Sequence, residues 1–384
     1  MWRALASNMI SVLVVGLFLL AGMIMWGQAQ YRNAGPLDEP ICLRVDRGSN
    51  MSRVSRNLAE QGAVNNPTIF RIGADYEEKS NRLKAGSFLV RPGASMADIV
   101  DQVTRGGAST CGTEIVYRVG VTRTTAQVRE LDPATDRFIE KASFNPAEDE
   151  APDVYKQKRA DSDTRYRVAL AEGVTSWQIV EALKSMEMLE GDVGEVPPEG
   201  SLAPDSYEVS VGGTRGDVIA RMAAAQSERV AEVWAQRQLN LPLESPEEML
   251  ILASIIEKET GVASERGQVS SVFINRLNRG MRLQTDPTVI YGVTKGRGVL
   301  GRGLRRSELR RLTPWNTYVI DGLPPTPIAN PGLASLEAAV APESTEYVFF
   351  VADGTGGHAF AETLDQHNAN VAKWRKIEAE RANN

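Results

Sequence analysis

Histidine and cysteine are nearly missing from this chain, with two of each in 384 residues. So few soft ligands exclude a Cys/His zinc cluster, and they exclude a cysteine nucleophile working beside a histidine base. A basic excess is missing as well. A formal charge of -6 gives no support to a nucleic-acid partner, which would want a concentrated cationic face. No metal and no cofactor is expected. The hydrophobic fraction of 42% and the charged fraction of 24% are ordinary for a folded protein. The length exceeds what a single core usually holds, so two or three folded units are expected.

What is present first is one long apolar run. Residues 9–27, MISVLVVGLFLLAGMIMWG, carry no charge. As an α-helix this run would be roughly 28 Å long, close to the thickness of a bilayer core. Trp26 stands at its far end, where an interfacial aromatic is expected. The competing reading is a cleaved signal peptide, with Gly27-Gln28-Ala29 as a small-x-small site. The run is longer than the usual h-region of about 7–15 residues, so an uncleaved anchor is expected. The short stretch 1–8 then forms an inside tail, and the large remainder lies outside. Cys42 and Cys111 fall on the outside. In an oxidising compartment a bridge between them would close a long loop, worth about 3–4 kcal/mol by loop entropy. Two unrelated thiols are the other reading.

Beyond a polar linker at 28–40, a pattern recurs. LRVDRGSNMSRVSRNL, FLVRPGASMADIVDQV and VALAEGVTSWQIVEAL share one layout. Val45/Gly48/Val54/Leu58, Val90/Gly93/Ile99/Val103 and Leu170/Gly173/Ile179/Leu183 hold equivalent places. The pattern predicts a short strand, a turn at glycine, a Ser or Thr near the helix start, and an amphipathic helix. Residues 113–165 fit it poorly. GTEIVYRVGV reads as a strand, and the charged stretch after it, with NPAEDEAPD at 145–153, reads as an exposed loop or inserted hinge. From about 200 the texture becomes helical. Val218, Ile219, Met222, Val230, Val233 and Trp234 sit at helical spacing. Ser245-Pro246-Glu247-Glu248 opens the next helix, with Ser as N-cap and Pro at the first helical position. Thr260-Gly261 ends it, and Ser264 is expected to cap a further helix that stops at Gly280. A strand-turn-strand, EYVFFVADGTGGHAF, and a charged helix from about Gln366 complete the chain.

The chemistry centres on ILASIIEKETGV, residues 251–262. On a helix, position i shares a stripe with i−3, i−4 and i−7. Glu259 therefore aligns with Ile256, Ile255 and Leu252, and Glu257 with Ser254, Ala253 and Leu250. The two carboxylates point about 200° apart and are not an acid pair. Glu259 continues the more apolar stripe and sits at the helix C-terminus, where the dipole disfavours an anion. Both effects raise a carboxyl pKa and suit a general acid for a glycosidic oxygen. The plainer reading is a carboxylate frayed into water or paired to an arginine such as Arg266. Downstream, GMRLQTDPTVIYGV, NTY, DGLPPTPIANPG and GGHAF set amide and hydroxyl side chains in proline-stiffened loops, which suit recognition of sugar hydroxyls and acetamido groups.

The ordered set ASIIEKET, SERGQVSSVFINRLNRGMRLQTDPTVIYG, NTY, GLPPTPIANPG and FVADGTGGHAF closely resembles the membrane-anchored endolytic murein transglycosylases (YceG-like). The likeness is strong over residues 200–370 and looser over 1–110. It implies a peptidoglycan lytic transglycosylase, a lyase, anchored in the bacterial inner membrane with its catalytic domain in the periplasm. It implies Glu259 as the acid and base, and Gln284, Asp286, Thr288, Tyr291, Asn316, Tyr318 and Asn330 around a glycan cleft. Peptidoglycan strands and the inner membrane are the expected partners, with cell-wall synthesis enzymes as further candidates. The expected fold is α+β: a transmembrane helix, LysM-like β-α-α-β modules, then a mixed α+β catalytic domain. The expected division is 1–8 tail, 9–27 anchor, 28–40 linker, 41–110 LysM-like, 113–199 β-α region with insertion, and 200–384 catalytic. Two other functions fit the residues: a two-carboxylate hydrolase using Asp286, and a membrane-tethered glycan-binding scaffold.

Overall fold

The computed structural model describes residues 2–105, 110–161 and 163–382, so the outer ends of the expected 1–8, 41–110 and 200–384 segments lie partly outside the described residues. The chain is mixed α+β and divides into two compact units.

The first unit begins with α1 (Trp2–Arg32). Its stretch Ser11–Arg32 has a mean hydropathy of 2.0 and is long and apolar enough to cross a membrane. Strand β1 (Ile41–Val45), helices α2 (Met51–Glu60) and α3 (Pro67–Tyr76), strand β2 (Gly86–Val90) and helix α4 (Met96–Thr104) follow. β1 and β2 pair antiparallel, from Ile41 opposite Val90 to Val45 opposite Gly86. Helices α2, α3 and α4 each have a side-chain cap. Asn50 accepts from the Arg53 N–H at 3.0 Å, Asn66 accepts from Thr68 and Ile69 ahead of α3, and Ser95 closes a capping box with Asp98. Leu43, Leu58, Phe70, Ala74, Val100 and Val103 are fully buried in one core. Cys42 and Cys111 form a disulfide, with their Cα atoms 5.7 Å apart.

The stretch read as a charged insertion is largely strand. β3 (Thr113–Val119), β4 (Thr124–Asp132) and β5 (Arg137–Phe144) precede the short α5 (Asp153–Lys158). Along β4 only Ala126, Val128 and Leu131 are buried, and β5 buries only Phe144. β5 is an edge strand, so most of its side chains face water and its sequence carries little apolar alternation. The expected loop at 145–153 is present as far as Pro152, with α5 beginning at Asp153, and Asn145 caps its own turn by accepting from the Ala147 N–H at 3.0 Å.

The second unit holds β6 (Arg165–Leu170), α6 (Ser176–Lys184), β7 (Ser206–Val209), α7 (Arg215–Ala235), α8 (Pro246–Glu259), α9 (Arg266–Asn278), α10 (Asp286–Thr294), α11 (Arg306–Arg310), α12 (Leu333–Val340), β8 (Phe349–Ala352), β9 (His358–Ala361) and α13 (Leu364–Ala382). Within this unit β6 and β7 pair antiparallel, from Tyr166 opposite Val209 to Ala169 opposite Ser206. The recurring layout is a strand, a left-handed glycine and a helix in all three places: β1 to α2 through Gly48, β2 to α4 through Gly93, and β6 to α6 through Gly173, with φ of 78°, 72° and 79°. The apolar positions after these glycines, Val54, Leu58, Ile99, Val103, Ile179 and Leu183, are all buried.

α8 is buried on nearly every side. Met249, Leu252, Ala253, Ser254, Ile255 and Ile256 have no exposed surface, and with Val269, Phe273, Leu283, Leu336 and Ala339 they form the centre of the second core. The helix starts as its sequence directs, with the Ser245 side chain accepting from the Glu248 N–H at 3.3 Å and Pro246 at the first helical position. Ser264 does not cap the next helix. It lies inside a 3₁₀ turn, Ala263–Glu265, and α9 begins at Arg266 without a side-chain cap.

Candidate active site

The last three residues of α8 enter three different environments. The Glu257 carboxylate accepts the Gly332 N–H at 3.0 Å, just ahead of α12. An acceptor placed there satisfies an orphan amide and complements the helix dipole. Lys258 donates to the Gly173 carbonyl at 3.2 Å, and desolvation of its ammonium lowers its pKa. Glu259 turns to Thr285, whose hydroxyl donates to its carboxylate. Part of the Glu259 residue reaches the surface, but its carboxyl is withdrawn from water. That burial raises its pKa above the usual glutamate value, and the nearby negative charge of Asp286 adds to the rise. The Thr285 hydrogen bond and the nearby His358 and Arg276 side chains oppose it.

The wall facing Glu259 is built by a tight turn into α10. Gln284 is exposed, holds a left-handed φ of 46°, and donates its N–H to the Thr317 carbonyl at 3.1 Å. Thr285 is buried, and its N–H donates to the Thr317 hydroxyl at 3.0 Å. Thr288, also fully buried, shares a 2.8 Å hydrogen bond with that same hydroxyl and donates to the Thr285 carbonyl at 2.8 Å. Asp286 is exposed and accepts from the Tyr318 hydroxyl at 2.7 Å. Burial raises the Tyr318 pKa, and its bond to Asp286 reinforces the rise. Gln284, Thr285, Asp286, Thr288 and Tyr318 are thus gathered beside Glu259.

The two asparagines of the expected set work inside the fold. Asn316 is fully buried, and its amide donates to the carbonyls of Glu308, Leu309 and Arg311 at 3.1, 3.1 and 2.8 Å. Asn330, fully buried too, donates to the Val174 carbonyl at 3.1 Å and accepts from the Leu202 N–H at 2.9 Å. Tyr291 is half-buried, tilted against Trp315 with ring centroids 5.8 Å apart, and bonded to Glu199.

A cavity of about 450 Å³ opens among Thr175, Gln178, Lys258, Tyr291 and the segment Gly298–Arg302. Lys258 and Pro287 are among its walls, while Glu259 and Asp286 are not.

Four contributors escaped the reading of the sequence. Thr285 stands inside the quoted QTDP run, and a buried threonine before Asp-Pro is a weak signal. Lys258 and Glu199 are the others in this neighbourhood. Glu199 lies in Pro-Pro-Glu-Gly, accepts the Ser176 N–H at 2.7 Å and an Asn330 amide hydrogen at 3.3 Å, and is pushed by burial up to about 7. Glu265 holds the fourth place. It accepts the His358 N–H at 2.9 Å and pairs with its Nδ1 at 2.8 Å, which locks the ring at the start of β9.

The YceG-like family model matches residues 43–373. An endolytic murein transglycosylase of Bacillus subtilis is 28% identical over 337 residues, covering 87% of this chain and 84% of that protein. The endolytic murein transglycosylase of Streptococcus pneumoniae D39 is 26% identical over 375 residues, covering 95% of this chain but only 64% of its own length. The crystal structure of a yceG-like protein of Listeria monocytogenes matches 86% of this chain and 99% of its own at 24% identity, with a TM-score of 0.45.

Proposed function

The chain belongs to the YceG-like family, and from that premise we propose that it is an endolytic peptidoglycan lytic transglycosylase, a lyase, with Glu259 as its single acid and base. One observation carries the assignment to this residue: Glu259 is a carboxyl withdrawn from water at the end of a buried helix, its pKa raised by that burial, beside a wall that ends in exposed polar groups.

The chemistry follows from the raised pKa. Protonated Glu259 donates to the glycosidic oxygen between N-acetylmuramic acid and N-acetylglucosamine as the C1–O bond breaks. The positive charge at C1 is carried by the substrate's own acetamido group or by an oxocarbenium-like state. Glu259, now ionised, takes the proton of the C6 hydroxyl on the same muramoyl ring. That oxygen closes on C1 and leaves a 1,6-anhydro end. Water is not consumed, and one carboxyl suffices where the usual hydrolase needs two. Thr285 steadies the ionised form between the two proton transfers. Gln284, Asp286, Tyr291 and Tyr318 line the glycan cleft, while Thr288, Asn316 and Asn330 hold its walls.

In the same reading α1 anchors the protein in the bacterial inner membrane and the remainder faces the periplasm. The β1-α2-α3-β2 order of the first unit supports a LysM-like module that engages N-acetylglucosamine, within the division into 28–40, 41–110, 113–199 and 200–384 set out above. The test is the product. Mass spectrometry of purified glycan strands after digestion should find 1,6-anhydro-muramoyl ends. Glu259→Gln should lower the rate by about 10²–10⁴-fold with the circular-dichroism spectrum unchanged. Products bearing only reducing ends would replace this reading with a hydrolase using Asp286. Cleavage undiminished in the glutamine variant would remove Glu259 from the mechanism.

A further inference from the structure

Between α10 and the Asn316–Tyr318 turn the chain departs from its overall acidity. Residues 295–312, KGRGVLGRGLRRSELRRL, hold seven cationic side chains and one carboxylate in a protein of net charge -6. Glu308 is taken up internally. It pairs with both ends of the Arg302 guanidinium at 2.9 and 2.6 Å and accepts the Arg305 N–H at 2.8 Å, which holds its pKa down at about 2. Arg297, Arg306, Arg310 and Arg311 are exposed and make no ion pair among the described residues. Like charges so closely spaced repel one another, and no carboxylate among the described residues pairs with these four.

Two features make this a placed surface. Its stretch Gly298–Arg302 lines the 450 Å³ cavity, and so does Lys258. Its other end is fixed to the candidate acid by a chain of hydrogen bonds. Asn316 grips the carbonyls of Glu308, Leu309 and Arg311, the neighbouring Thr317 hydroxyl accepts the Thr285 N–H, and Thr285 donates to Glu259. The arginines therefore keep a set position relative to the carboxyl. A cationic rim fixed beside a glycan cleft suits a strand that carries anions at regular intervals.

We propose that this rim, together with Lys258, binds the carboxylates of the peptide stems borne by the muramoyl residues of the glycan strand, so that the protein selects stem-bearing over naked strands. The proposal rests on the transglycosylase reading for its substrate class, but binding tests it without turnover. The full-length Glu259→Gln protein in detergent is titrated with purified stem-bearing strands and with strands stripped of stems by an amidase. The expected result is a Kd lower on stem-bearing strands by about tenfold, the scale of several exposed ion pairs acting together, and a preference that shrinks as salt rises. Adding Arg306→Gln, Arg310→Gln and Arg311→Gln should bring the Kd ratio close to one, and lysine at the same three positions should restore most of it. Equal Kd on both strands, a ratio untouched by the glutamines, or lysines that restore nothing would each overturn the proposal. So would loss of binding to phosphatidylglycerol vesicles in the glutamine variant with the stem preference intact, which would make the membrane surface the partner. Failure of the wild-type protein to cleave either strand, with stem-dependent binding retained, would instead count against the transglycosylase reading alone.

Discussion

Burial raises the pKa of two carboxyls of the second unit, Glu259 and Glu199, and the sign of each effect can be worked out. The raised pKa of Glu259 keeps its proton in place to higher pH than an exposed glutamate would. Activity should therefore fall as pH rises through that raised value, and a flat kcat/KM profile from about pH 5 to 8 would contradict the acid role. The Thr285 hydroxyl favours the ionised form. Thr285→Val should consequently move the falling limb to higher pH. Glu199 shows the same linkage in stability. Its pKa rises from 4.5 to about 7 on folding, so between those values the folded state holds a proton that the unfolded chain has released. Stability from this group is full below about pH 4.5 and is lost as pH rises toward 7, by about 3 kcal/mol at most. Urea titrations at pH 5 and pH 8 should show that Glu199→Gln flattens this loss, leaving the variant the more stable protein at the higher pH.

At the scale of elements, Asn330 joins Ser254 and Glu257, which accept the Ile328 and Gly332 N–H groups, in fastening the loop 321–332. Asn330 bonds the turn after β6 through Val174 and the segment before β7 through Leu202, and its backbone exchanges hydrogen bonds with Gly173 and Val174 at 2.9 Å each. Asn330→Ala leaves the buried Leu202 N–H without its acceptor, while the Val174 carbonyl keeps the backbone N–H of residue 330, and should cost about 1–3 kcal/mol in a denaturation curve. A loss under 1 kcal/mol would mean that water replaces the amide. The sequence made the strand–glycine–helix units legible because three conditions coincided in each: an apolar strand end, a glycine able to adopt positive φ, and apolar residues one helical turn apart. It hid β5 because an edge strand with one buried residue offers no alternation to read, and β4 because its inward places are only Ala126, Val128 and Leu131 among polar and charged neighbours. It named Asn316 and Asn330 as special, but an amide aimed at a carbonyl and an amide aimed at a sugar look alike in one dimension. Burial of the helix stripes does not separate Glu257 from Glu259. Ser254 and Ala253 are as buried as Ile255 and Ile256, so both stripes lead inward. What separates the two carboxyls is the partner each meets, an orphan amide of α12 or a threonine beside open polar groups, and those partners lie 75 and 26 residues away in the chain.

For the whole molecule, the apolar helix and the disulfide concern the same question of compartment. Ser11–Arg32 is long and apolar enough to span a bilayer, and Cys42 and Cys111 are joined shortly beyond it. A retained anchor predicts that the protein stays in the membrane fraction after carbonate washing and that terminal sequencing finds residues 1–27 still attached. Release into the soluble fraction with a new terminus near Ala29 would show a cleaved signal peptide instead.

The end of α8 also constrains how such a protein is free to change over generations. Glu257, Lys258 and Glu259 serve a neighbouring helix, a cavity and the candidate acid site in succession. Each added residue turns a helix by about 100°. A substitution inside α8 alters one contact, whereas a single insertion or deletion would rotate all three side chains at once and hand each the wrong environment. Length in this helix should thus be held far more strictly than identity. A library of one-residue insertions along Pro246–Glu259 should return almost no active clones, while conservative replacements of its isoleucines are recovered readily.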